Sequence, residues 1–167
     1  MEEQRQKEVA FEELLRTHRA IIFKIVSTYC WQPEDRADLA QEIAAQLWLA
    51  WPRYDPSRSA FTTWMYRIAF NVAISFVRKE VRHRRVSVPL DEEVHDTATT
   101  IFASTVDEDR VARLQRFIER QPPLDRALLL LYLDEKPQKE IAEILGLTQT
   151  NISTKIGRLK LKIRNEL

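Results

Sequence analysis

The chain has 167 residues, 44% hydrophobic and 31% charged, enough for one medium domain or two small ones. Its two glycines argue against a many-turned β sandwich, whose hairpins and bulges need positive φ. The net charge of +1 conceals a segregation: "RKEVRHRR" and "KIGRLKLKIR" are basic, while "DEEVHDTATTIFASTVDED" carries seven acids and no Lys or Arg. Cys30 is the only cysteine, so there is no intramolecular disulfide framework, which suits a reducing cytoplasm. The opening "MEEQRQKEVAFEELL" is charged rather than signal-like, and no apolar run approaches the roughly 20 residues that span a bilayer. A cytoplasmic, all-α chain without membrane insertion is expected.

Phe11, Leu14, Leu15, Ile22, Ile25, Val26 and Tyr29 recur at three- and four-residue intervals and predict a helix from about Val9 to Tyr29. "PEDRAD" opens a second helix, with Pro33 and acids in its first turn, and Leu39, Ile43, Leu47 and Ala50 on one face. The two prolines of "WPRYDPSRSAF" make a short loop. A third helix starts near Phe61 and runs to the basic "RHRR", with Trp64, Ile68, Val72 and Phe76 on its core face. The sequence leaves Tyr66 and Phe70 unassigned.

After Arg85 the periodicity stops. Pro89, the acids and a Thr cluster predict a flexible acidic linker over residues 86–109, with at most a helical turn at "TIFAS". About 24 residues at roughly 3.3 Å each reach about 80 Å, more than a compact domain needs. Two small helical domains, 1–85 and 110–167, are therefore expected. The second reads as four helices, near Arg110–Arg120, Leu124–Leu133, Gln138–Leu145 and Thr148–Asn165.

The last two have the spacing of a helix-turn-helix. Ala142 is small where the helices cross, and Gly146 supplies the left-handed turn a Cβ would oppose. Ile141, Leu145, Leu147 and Ile152 fill the angle, and Thr148 caps the second helix. With Ile152, Ile156, Leu159 and Ile163 inward, Gln149, Asn151, Ser153, Thr154, Lys155 and Arg158 face out. Short amides and hydroxyls at the tip, with cations beyond, fit the DNA major groove. Aromatics interleaved with cations in "FTTWMYRIAFNVAISFVRK" suit single-stranded bases as well as a core. His18, His83 and His95 have no zinc spacing with each other or with Cys30. No Gly-rich phosphate loop exists, so neither an enzyme nor a cofactor or metal site is expected. These features by themselves also fit a stand-alone helix-turn-helix regulator, which typically binds duplex sites as a dimer.

The order "DLAQEIAAQLW", "FTTWMYRIAFNVAISFVRK", acidic linker and terminal helix-turn-helix resembles the bacterial sigma factors. The size points to the extracytoplasmic-function (ECF) class, which keeps only regions 2 and 4. The resemblance implies binding to core RNA polymerase, through its β′ clamp helices and its β subunit, and to promoter DNA. Asp38, Gln41 and Glu42 match the segment that docks on the clamp helices, and their i, i+3, i+4 spacing places them on one helix face. Phe61 to Lys79 matches the −10-reading and melting segment, implicating Phe61, Trp64, Arg67, Asn71, Arg78 and Lys79. Ser57 and Arg58 lie in the loop matching the one that receives a flipped base. The −35 element is read by the terminal helix, here Gln149, Thr150, Asn151, Ser153, Thr154, Lys155 and Arg158. An anti-sigma partner is also implied. This chain departs from the family pattern in Ser75 for a frequent Asp, Pro137 for a Ser/Thr cap, and Glu135 for a frequent Gly.

Overall fold

The computed structural model describes residues 1–86 and 106–167, and all regular structure among them is helical. The elements are α1 (Glu2–Thr17), α2 (Arg19–Tyr29), α3 (Pro33–Ala50), a 3₁₀ turn (Trp51–Arg53) and α4 (Phe61–Val86). After residues outside the description come α5 (Val106–Arg120), α6 (Pro123–Leu133), α7 (Gln138–Leu145) and α8 (Gln149–Glu166). Most of the expected linker, including "TIFAS", lies outside the described residues.

Some boundaries differ from the sequence reading. The single helix expected over Val9–Tyr29 is two, parted at His18, whose φ of −106° and ψ of 14° leave the helical region. No Gly or Pro marks this break; His18 instead lays its ring 5.4 Å from that of Phe61. The second half starts earlier than Arg110: Asp107, Glu108 and Asp109 form the acidic first turn of α5, where the helix dipole favours negative charge. Helix α7 has the expected bounds; Pro137 sits one position before it and its carbonyl accepts from the Ile141 N–H.

In α3 the expected stripe is buried at Leu39, Ile43 and Leu47. In α4 the stripe is rotated. Met65, Tyr66, Ala69, Phe70 and Ala73 are buried, while Trp64, Ile68, Val72 and Phe76 are only partly so. The cause is a second neighbour: α4 packs on α2 and α3 and also on α6 and α7 of the other half. Small Ala69 and Ala73 allow close helix approach, and Tyr66 and Phe70 stack at 5.7 Å inside the seam. A single apolar cluster runs from Phe11 in the first half to Leu159 in the second.

Candidate nucleic-acid interface

The helix-turn-helix forms by local rules. Gly146 has φ 68° and ψ 33°, ends α7 in the left-handed region, and lets the Leu147 N–H return to the Ala142 carbonyl at 3.1 Å. Thr148 caps α8 by accepting the Asn151 N–H at 3.1 Å. Ile141, Ile144, Ile152, Ile156 and Leu159 are buried. This leaves Gln149, Thr150, Asn151, Ser153, Thr154 and Arg158 exposed on α8, together in one polar face. Thr154 Oγ1 donates to the Thr150 carbonyl at 3.0 Å. Lys155 is the exception: it is half-buried, and its ammonium lies 3.8 Å from Asp125 of α6. Gly157 is exposed on the same helix, and a Cβ there would meet nothing.

On α4, Trp64, Arg67, Asn71 and Arg78 fall at spacings that share one face, and the last three are exposed. Phe61 is placed differently from the expectation of an accessible reader. It is 8% exposed and sits edge-on to Trp51 and Tyr54, beside Trp64. Trp64 is half-buried in the same cluster, 5.0 Å from Tyr54. These rings form a stiff base under the loop rather than a set of free stacking platforms.

The loop carries exposed Ser57 and Arg58. Asp55 accepts the Ser57 hydroxyl at 2.6 Å and the Ser57 N–H at 2.9 Å, and Arg58 approaches it at 3.7 Å. The hydrogen bonds from Ser57, with Arg58 adding to them, hold the Asp55 carboxyl below its ordinary range. The Asx-type turn fixes the loop without regular structure.

Asp38, Gln41 and Glu42 are exposed on α3 and line a groove of about 810 Å³. Its opposite wall is α4, contributing Asn71, Ser75, Phe76 and Lys79. The two sets of residues thus meet, since Asn71 and Lys79 stand across the groove from the acidic face. Ser75, where a frequent Asp is replaced, lies on this wall and leaves it less negative.

Sequence reasoning missed the contacts between the halves. Lys24 of α2 binds both oxygens of Asp134, at 2.8 and 2.7 Å, and the Tyr66 hydroxyl donates to the same carboxylate at 3.3 Å. Tyr29 donates to the Pro123 carbonyl at 2.6 Å. Arg126 lies over the Tyr29 and Trp31 rings, at 5.8 and 5.6 Å. Arg67 donates to the Glu143 carbonyl at 3.1 and 3.3 Å. The available signal was "ALLLLYL" in α6, apolar on more faces than a small four-helix domain can bury.

The Sigma-70 region 2 family model matches residues 14–83, and the Sigma-70 region 4 model matches residues 112–163. The ECF RNA polymerase sigma factor SigW of Bacillus subtilis is 29% identical over 95% of this chain and 89% of its own length. The RNA polymerase sigma factor YlaC of the same organism is 24% identical over 95% of this chain and 92% of its own. Among solved structures, CnrH in complex with the cytosolic domain of CnrY superposes with a TM-score of 0.66 at 19% identity, covering 95% of this chain and 87% of CnrH. With both regions matched in order and relatives aligned nearly end to end, the chain belongs to the ECF sigma factors and directs transcription initiation.

Proposed function

We propose that this sigma factor docks on the β′ clamp helices of core RNA polymerase through Asp38, Gln41 and Glu42. The supporting observation is their shared exposed face on the acidic wall of the α3–α4 groove. Further contacts are made to the β subunit. Domain 1–85 reads the −10 element through Arg67, Asn71, Arg78 and Lys79, which are exposed on α4. The braced loop presents Ser57 and Arg58 to a flipped base, while Phe61 and Trp64 support it from beneath. Domain 110–167 reads the −35 element with the tip of α8, where Gln149, Thr150 and Asn151 lead. Ser153, Thr154 and Arg158 follow along the exposed face. Lys155 contributes only after leaving Asp125. The protein acts in the cytoplasm without catalytic chemistry of its own, and an anti-sigma factor binds it; the solved complex of CnrH with the cytosolic domain of CnrY supports a protein partner of this kind.

Holoenzyme affinity across a −35 library, at several salt concentrations, tests the assignment on α8. Alanine at Gln149 or Asn151 costs about 1–3 kcal/mol on the preferred sequence and much less on scrambled DNA. Alanine at Lys162, late on the helix, weakens all sequences alike and lowers the salt slope by roughly one for each phosphate no longer neutralised. Uniform losses from the tip substitutions would mean that α8 positions the protein and sequence is read elsewhere.

A further inference from the structure

Helix α8 carries no charged side chain from Gln149 to Thr154, so Lys155 is its first cation. The Lys155 side chain is 31% exposed, and its ammonium lies 3.8 Å from Asp125, itself 21% exposed. Position decides what this pairing withholds. Ile152 and Leu159, three before and four after Lys155, are buried. Asn151 and Arg158, four before and three after, are exposed. Residues at these spacings are neighbours on a helix surface, so Lys155 stands on the border between the core stripe and the polar face. Its flexible stem can lean inward to α6, as it does, or outward into the row of Asn151 and Arg158. Asp125 lies in the first turn of α6, where the helix dipole favours a carboxylate, and α6 packs directly on α8. A second cation of α8 also leans on α6, since Lys160 lies 5.1 Å over the Tyr132 ring.

Resting on the −35 reading above, we propose that Asp125 is a specificity-determining residue that does not itself touch DNA. It withholds the Lys155 charge until base contacts have seated α8. A phosphate and Asp125 compete for the same ammonium. A partly exposed ion pair contributes little to folding, so the exchange costs the fold little. The tethered carboxylate is always within reach, whereas a phosphate is near only while α8 lies in the groove. On an unmatched duplex the helix is not held in place, and Lys155 stays with Asp125. On a matched duplex Gln149 and Asn151 fix the helix against base edges, a phosphate comes within reach, and the ammonium moves across. The phosphate contact is thus made on the right sequence and denied on the wrong one. That widens the difference of affinities in which specificity consists.

Holoenzyme binding to two promoter duplexes tests the proposal. The duplexes are identical except at the −35 element, where one carries the sequence selected from a library and the other a scrambled one. Asp125→Asn should tighten binding to the scrambled duplex roughly fivefold at about 0.1 M salt, and steepen its salt slope by about 0.9, the share of one phosphate contact. On the selected duplex the slope should stay as it is, because Lys155 already reaches phosphate there. Lys155→Met should do the reverse, weakening the selected duplex roughly fivefold and leaving the scrambled one unchanged. In the Lys155→Met background, Asp125→Asn should change neither. This last arm separates a withheld lysine from the general gain in attraction that follows the loss of any negative charge. Equal tightening on both duplexes, or an Asp125→Asn effect that survives Lys155→Met, overturns the proposal while leaving the −35 reading in place. A wild-type holoenzyme that prefers no −35 sequence overturns both.

Discussion

The first half packs its interior with rings, burying Phe11, Tyr29, Phe61, Tyr66 and Phe70, whereas in the second half Phe117 is the only buried ring among the described residues, set among Leu and Ile. The aliphatic half folds around a helix-turn-helix whose geometry is written in neighbouring residues. The aromatic half is assembled by distant ones: Trp51 donates to the Lys7 carbonyl 44 positions away, and Tyr29 to Pro123. Several of its rings serve the seam as much as their own domain. Local rules build the helix-turn-helix, while long-range packing is shared between the two halves.

The largest expected effect tests whether the core is shared. Phe70→Ala removes a ring that is 1% exposed and packed on Tyr66 and Tyr29, and should cost about 3–5 kcal/mol. If the free halves are one unit, urea unfolding remains a single transition at lower midpoint. A second-half transition left in place beside a weakened first half would show that the halves are independent.

Alkaline pH acts on the same seam. Burial pushes the Cys30 thiol from 9.0 to about 11, with Asp35 and Glu80 adding to it. Burial also raises the phenols of Tyr29 and Tyr66 above 10.0, the latter helped by Asp134. The unfolded chain releases these protons at the ordinary values while the folded chain keeps them. Their contribution is therefore complete below about 9 and falls as pH rises beyond it. Denaturant midpoints measured from pH 7 to pH 10.5 should be level first and then decline. A level line throughout would remove these groups from the balance.

The smallest effects compare the two glycines of the second half. Gly146→Ala places a Cβ at φ 68°, with open space around it, so the cost of about 1–2 kcal/mol is purely conformational. Gly157→Ala, on regular helix with no atom near the new Cβ, should stabilise by up to about 1 kcal/mol. Thermal unfolding of the two variants should shift in opposite directions. Shifts of the same sign would contradict the local account of the helix-turn-helix.

The same contrast explains what the sequence made legible. Gly146, Thr148 and the Ile steps of α8 act within a few residues, so α7, its turn and the capped start of α8 were readable directly. The family resemblance rested on segment order, and both matched regions agree with it; the alternative of a stand-alone regulator falls with the region 2 match. The facing of α4 was misread because half of its partners come from the other end of the chain. The break at His18 carries no Gly or Pro signal, and the ring it lies beside, Phe61, is far away in sequence. The linker expected over residues 86–109 includes the acids at the start of α5, although acids just ahead of an amphipathic run are themselves a helix-start signal. Glu135 shows why Gly is frequent there: the backbone needs positive φ.

Reconstitution tests the central claim most directly: a two-part chain that docks through α3 and reads DNA only as part of polymerase. Core RNA polymerase should give specific transcripts from a library of its own genome's fragments only when this chain is added. Asp38→Lys with Glu42→Lys should abolish them by preventing core binding while the helical fold stays intact, since exposed charges contribute little to folding. Undiminished core binding and transcription by that double variant, or tight and specific duplex binding by the chain alone without transcripts, would contradict the account.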